Sequence, residues 1–259
     1  MKLAVIKSTL TRSEAMQKQA AGFTLLELML AMTLGALVLT VMLQLVLSLN
    51  RALQVQQSLG LLQSQARYAE RQLADRASSA GFQATPWLFA ALDTVAGSTE
   101  AGEGSRLVLR QWSSKNCLGN DNPVVNGTGA PEYFIRVSEW RLTPDNRLVE
   151  TCFYGPAGSP GTRQLNASTR VEHVEGFRVQ FAEDLDGDQQ TDHWVAAGAW
   201  LNESNLLGLR FGLLFASPVP TGAPDPGTVQ LLGTTIPVPD DGRLRLSVVR
   251  TVAFEGRRS

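Results

Sequence analysis

Hydrophobic and polar positions change their spacing along this chain, and each change marks an element. From Leu28 to Asn50 no charged residue interrupts an apolar run. At about 1.5 Å per residue, a helix of this length crosses a hydrocarbon core of about 30 Å. Beyond it the apolar positions thin to a stripe. Ala52, Val55, Leu59, Leu62, Ala66, Ala69 and Leu73 recur at alternating steps of three and four. Gln54, Gln57, Gln63, Arg67, Glu70 and Arg71 fill the other face. That period predicts one helix from about Phe23 to about Ser79, with Gly81 as its C-terminal stop. The stripe also fits a short coiled-coil stem. Its brevity and its three alanines favour packing on a following domain.

After about residue 83 the period drops to two. "SRLVLRQW", "YFIRVSEWRL", "RLVETCFY", "EGFRVQF" and "RLRLSVVRTVAF" alternate or are rich in β-branched and aromatic residues. On the last run Leu244, Leu246, Val248, Arg250, Val252 and Phe254 share one face, so Arg250 must sit at an edge or find a partner. "NLLGLRFGLLFAS" lacks clean alternation and reads as a strand buried on both faces. Gly/Pro/Asn-rich connectors separate these runs: "GNDNPVVNGTGAP", "GPAGSPGT" and "SPVPTGAPDPG". The expected fold class is α+β, a long N-terminal helix on a mostly antiparallel β head with long loops. The expected domains are 23–82 for the helix, with about 23–49 in the membrane, and 83–259 for the head.

Charge sets the orientation. Lys2, Lys7, Arg12 and Lys18 precede the apolar run against a lone Glu14. The N-terminus is therefore expected in the cytoplasm and the head on the far side of the membrane. The net charge of −1 gives no basic excess that calls for nucleic acid. The two cysteines, Cys117 and Cys152, both lie in the exported part. In an oxidising compartment they are expected to form a disulfide, the alternative being two buried thiols.

"EDLDGDQQTDH" places Asp184, Asp186, Asp188 and Asp192 in one short stretch. Oxygen ligands at alternate positions suit Ca²⁺. The stretch departs from an EF-hand loop: the glycine follows the second acid, and Val195 stands where the bidentate Glu belongs. The other reading is a solvated turn built on Gly187. The two histidines, His173 and His193, come with no P-loop, G-x-S-x-G or Cys/His metal set. The chain is not expected to be an enzyme.

Gly22, Phe23-Thr24-Leu25-Leu26-Glu27 and the apolar run behind them closely resemble the processing site of type IV prepilins and type II secretion pseudopilins. The resemblance implies a leader, residues 1–22, that prepilin peptidase removes between Gly22 and Phe23, followed by methylation of Phe23. Met16 offers a second start that would give a leader of typical short length. The resemblance also implies a role for Glu27. A carboxylate facing hydrocarbon costs about 2.5–3.5 kcal/mol, and the family pairs it with the N-terminal amine of a neighbouring subunit. A secretory signal would need a shorter apolar core and a small-x-small site. A plain signal anchor would need none of the motif.

The head resembles the PilW family of minor pilins along "VEHVEGFRVQFAEDLDGDQQTDHWV", "LLGLRFGLLFAS" and "GRLRLSVVRTVAFEGRR". That resemblance implies a single-pass inner-membrane protein that joins other minor pilins and the major pilin. Such a complex primes the pilus and stands at its tip beneath an adhesin-like protein. No cofactor other than calcium is expected. A GspJ-like pseudopilin of type II secretion, or an uncleaved membrane-anchored binding module, is the alternative.

Overall fold

The computed structural model describes residues 24–82, 95, 98–101, 104–157, 161–224 and 226–255. Gly22, Phe23 and the leader lie outside the described residues. One helix, α1, runs Leu25–Ser78. The chain divides between Asn50 and Arg51 into two compact units.

In the first unit every described residue is exposed. Leu26, Met29, Leu37, Leu43 and Leu47 all present more than half of their surface. Water-soluble monomers rarely leave so continuous an apolar surface uncovered. An 18-residue window of α1 has a mean hydropathy of 2.3, which suits a bilayer.

In the second unit α1 packs on an antiparallel β head. The buried helix positions are Ser58, Leu62, Ala66, Ala69, Leu73, Ala74 and Ala77. The alanines have almost no side chain to accommodate, so the sheets approach the helix closely. The stripe read from the sequence is buried only from Leu62 onward. Ala52, Val55 and Leu59 are exposed, because the sheets cover the helix only from Ser58.

The head holds two main sheets. The first contains β1 (Thr99–Ala101), β2 (Gly104–Ser113), β3 (Phe134–Leu142), β4 (Arg147–Gly155) and β5 (Thr162–Glu172), paired in chain order. The second contains β6 (Val174–Glu183), β7 (His193–Ala196), β8 (Leu206–Ala216) and β11 (Arg245–Ala253), in the order β11-β8-β6-β7. A hairpin of β9 (Thr228–Leu231) and β10 (Thr234–Pro237) forms a sheet of its own. Leu62, Ala66, Ala69 and Leu73 share one core with Leu107, Leu109, Trp140 and Leu148 of the first sheet. Phe177, Val179, Phe181, Leu209, Phe211, Leu213 and Phe215 of the second join the same core.

The mixed pattern of β8 now has a cause. Leu209, Phe211, Leu213 and Phe215 face this core. On the opposite face Gly212 and Leu214 meet the β9–β10 hairpin, where Leu214, Leu231 and Val238 form a second apolar cluster. Two glycines make room for that hairpin. A Cβ on Gly176 would lie 2.6 Å from Ile236 Cδ1, and one on Gly212 would lie 2.8 Å from Leu231 Cδ1. The hairpin is absent from the sequence reading. Its two-residue turn, Leu232–Gly233, has positive φ at both positions, 49° and 81°. Asn-Gly is the usual signature of that turn, and Leu-Gly is not. Strand β5 was also missed. It is polar, and its register against β4 shifts at several points.

Candidate assembly site and head-locking cluster

The helix start is built by its own first residues. Thr24 stands just ahead of α1, and its backbone N–H donates to Glu27 Oε2 at 3.0 Å. Its hydroxyl donates to the same oxygen at 3.1 Å. In return the Glu27 N–H donates to Thr24 Oγ1 at 3.2 Å. This is a capping box, threonine and glutamate three apart satisfying each other's orphan donors. The T-x-x-E signature stands in plain view within "FTLLE" and was missed as a helix cap. Glu27 therefore has a local partner as well as any distant one. Both local contacts use Oε2, and Oε1 accepts no hydrogen bond from the described residues.

In the head, a charge cluster ties α1 to the first sheet. Glu150 on β4 is fully buried. Arg76 in the last turn of α1 donates to its Oε1 at 3.2 Å, and Arg170 on β5 donates to Oε2 at 2.8 Å through Nε. Arg136 on β3 lies in the same neighbourhood, 9% exposed. Burial first, and then repulsion from Arg76, lower the Arg136 guanidinium to about 10. It stays charged at neutral pH, so Glu150 stands against three arginines. Sequence reasoning missed this cluster. Its members lie on four elements and share no local spacing.

The expected disulfide is present, joining Cys117 to Cys152 with Cα atoms 6.0 Å apart. Tyr154, Phe134 and Leu165 pack around it. Tyr154 donates its hydroxyl to the Ser113 carbonyl at 2.9 Å, and burial raises its phenol above the usual value. The bridge thus fastens the long β2–β3 connection to the middle of β4.

The acidic loop gathers Asp184, Asp186 and Asp188, with one carboxylate oxygen from each within 4.8 Å of the others. Asp192 stands apart from that group and accepts the Leu185 N–H at 2.6 Å. The buried Asp184 accepts from the Gly187 and Gln189 N–H groups, one on each oxygen. Asp186 and Asp188 each accept the N–H two residues ahead. Gly187 takes φ 84°, as the turn requires. These bonds close the turn without a cation, and the donor set still offers a hard cation three carboxylates. Asp184→Ala strands two loop donors and is expected to destabilise the head by about 1–3 kcal/mol, read as a lower melting temperature of the full chain. Calcium coordination is a separate proposal. It requires added Ca²⁺ to raise that melting temperature and Asp186→Ala to abolish the rise.

The histidines do not converge. His173 directly precedes β6, and His193 pairs with Glu183 at the far end of that strand. Glu183 is fully buried and holds the Leu201 and Asn202 N–H groups on one oxygen, with His193 Nε2 3.2 Å from the other. The pair shapes a loop.

Residues 17–43 match the prokaryotic N-terminal methylation motif. Residues 132–255 match the family described as Type IV Pilus-assembly protein W, from just before β3 to the end of β11. The two matches together mark a type IV pilin with a PilW domain. Comparison with curated proteins gave no match. Among solved structures the fold is similar to the type IV-like pilin TTHA1219 from Thermus thermophilus. The two are 19% identical with a TM-score of 0.49, and the match covers 75% of this chain and 97% of that one. Pilins are structural subunits, not enzymes. A PilW-domain pilin with this helix is anchored in the membrane, is associated with the pilus and interacts with other pilins.

Proposed function

We propose that this PilW-domain chain is a minor pilin that primes type IV pilus assembly and takes its place in the tip complex. Prepilin peptidase cuts between Gly22 and Phe23 and methylates the new amine. Before assembly the head lies in the periplasm and the helix in the inner membrane, with the N-terminus cytoplasmic. The observation that carries this reading is the division of labour on Glu27. One oxygen caps the chain's own helix, and the other accepts nothing from the described residues. It is therefore available to the methylated amine of a neighbouring subunit. In low dielectric that pairing offsets the burial of both charges. Repeated head to tail, it builds an open helical filament. The PilW match over the head favours a pilus over a secretion pseudopilus.

Three substitutions separate the two jobs of Glu27. Glu27→Gln keeps an oxygen for the cap and removes the charge. Thr24→Ala removes the hydroxyl's two contacts in the cap and keeps the charge. Glu27→Ala removes both. All three are expected to be cut at Gly22, with N-methyl-phenylalanine at residue 23 by mass spectrometry. Glu27→Gln and Glu27→Ala are expected to lower the amount of this subunit in sheared pili about tenfold or more, while Thr24→Ala retains most of it. Normal incorporation of Glu27→Gln would end the ion-pair reading. An uncut chain with residues 1–22 attached would end the pilin-processing reading.

A further inference from the structure

A sheet edge is an open row of N–H and C=O groups, and proteins normally shorten, bulge or cover it. The two main sheets of the head have four edges among the described residues. β1 has 3 residues and β7 has 4, too short to template a partner. β5 is long, but its register against β4 shifts between Leu148 and Val149, between Glu150 and Cys152, and between Cys152 and Phe153. These irregularities break its edge. β11 has none of these protections among the described residues. Its 9 residues pair with β8 in one unbroken register, Arg245 to Ala253, and contain no proline. Its outer edge has no strand beside it among the described residues.

The side chains of β11 say what would fit there. On the core face, Leu246, Val248 and Val252 pack beside the main core while remaining partly exposed. On the other face Val249 is 53% exposed. Arg250 interrupts the apolar row on the core face, opposite Phe211. It is exposed and makes no ion pair among the described residues. Arg245, by contrast, is held by Glu175 and Asp241. A cation placed between Val248 and Val252 at an open edge lowers the risk of promiscuous pairing. It also selects a strand that brings a carboxylate to that position.

We propose that the free edge of β11 is a strand-acceptor site for an extended segment of a different protein chain, with alternating apolar side chains and a carboxylate opposite Arg250. Backbone hydrogen bonds would supply affinity and the side-chain alternation would supply specificity. A second copy of β11 does not meet this requirement. The strand contains Arg245 and Arg250 and no acid. Antiparallel pairing of two copies centred near Val249 would also bring Arg250 of each close to that of the other. The proposal goes beyond the assembly reading and rests on the sheet, so it would hold in an uncut chain as well.

The test uses the full chain in producing cells, with a photoreactive phenylalanine at Val249 or Thr251 and, as control, at the exposed Thr235 on β10. Irradiation is expected to give one discrete adduct from each β11 position and none from Thr235. Mass spectrometry should place the cross-link in a peptide of another protein that alternates apolar residues and carries Asp or Glu. Arg250→Glu should reduce the adduct about tenfold and Arg250→Lys should preserve it, with the melting temperature of the purified full chain unchanged in both. In the purified complex, amides of 245–253 should exchange at least tenfold more slowly than in the chain alone. No adduct, an adduct to a second β11, an adduct unaffected by Arg250→Glu, or unaltered exchange each overturns the proposal.

Discussion

Glu150→Ala is expected to lower the melting temperature of the head by roughly 10 °C, from a loss of about 3–5 kcal/mol. The substitution removes the one carboxylate facing Arg76, Arg170 and Arg136. Arg76 and Arg170 keep about a fifth of their side-chain surface in water, while Arg136 is nearly closed off. Breaking a buried pair from one side leaves uncompensated charge, and that penalty exceeds the worth of the intact pair. Glu150→Gln should be nearly as damaging, because it keeps the shape and loses the charge. Adding Arg136→Met to Glu150→Ala removes one stranded cation and should recover part of the loss. If the double variant is as unstable as the sum of the singles, lost packing and not charge is the cause. The pH dependence has a definite sign. Arg136 titrates near 10 in the fold, below the ordinary range of a guanidinium. Its contribution to stability therefore rises as pH climbs above about 10, and the fold carries the full penalty of its buried charge below 10. Thermal melts of the purified full chain across that range read it out.

Loss of the disulfide is the second large effect. Cys117 and Cys152 are 35 positions apart. Releasing a loop of that size frees the unfolded chain by about 4 kcal/mol in the chain-entropy model. Replacing both cysteines with serine should therefore lower the melting temperature by about 8–16 °C. Serine also places two hydroxyls in a site walled by Tyr154, Phe134 and Leu165, where they replace sulfur in an apolar cluster. A paired alanine variant separates that polarity from the lost cross-link. Reduction of the native protein should reproduce the alanine result, while a melting temperature unmoved by reduction would show that the bridge constrains little. Because the bridge ties the β2–β3 connection to β4, proteolytic nicking within residues 114–133 should rise on reduction.

Local information carried the helix well and the sheets unevenly. The three-four spacing of Leu62, Ala66, Ala69 and Leu73 names the buried helix face because each residue lies one turn from the next. The same spacing placed Val55 and Leu59 in the stripe, yet they are exposed. Nothing in a helix's own period says where its partner begins. The strong strands β2, β3, β6 and β11 showed themselves through alternation. β5 is polar and bulged, and β9–β10 turns on Leu-Gly, so neither gave the usual signal. The cysteines were legible as a pair because their compartment followed from the charge ahead of the apolar run.

The sequence by itself determined the apolar helix, the Gly22/Phe23/Glu27 motif, the paired cysteines and a β head, and it also carried the Thr24 cap that the reading passed over. Each depends on residues close along the chain or on composition, and local sterics and solvation decide such features. Tertiary structure alone decided that Glu150 answers three arginines and that Gly176 and Gly212 open a seat for a hairpin. It alone decided that β11 ends its sheet with Arg250 at an open edge. Those facts depend on which distant segments share a low-dielectric interior and which are left facing water. A buried charge or an unpaired strand acquires its meaning from neighbours that no local spacing encodes.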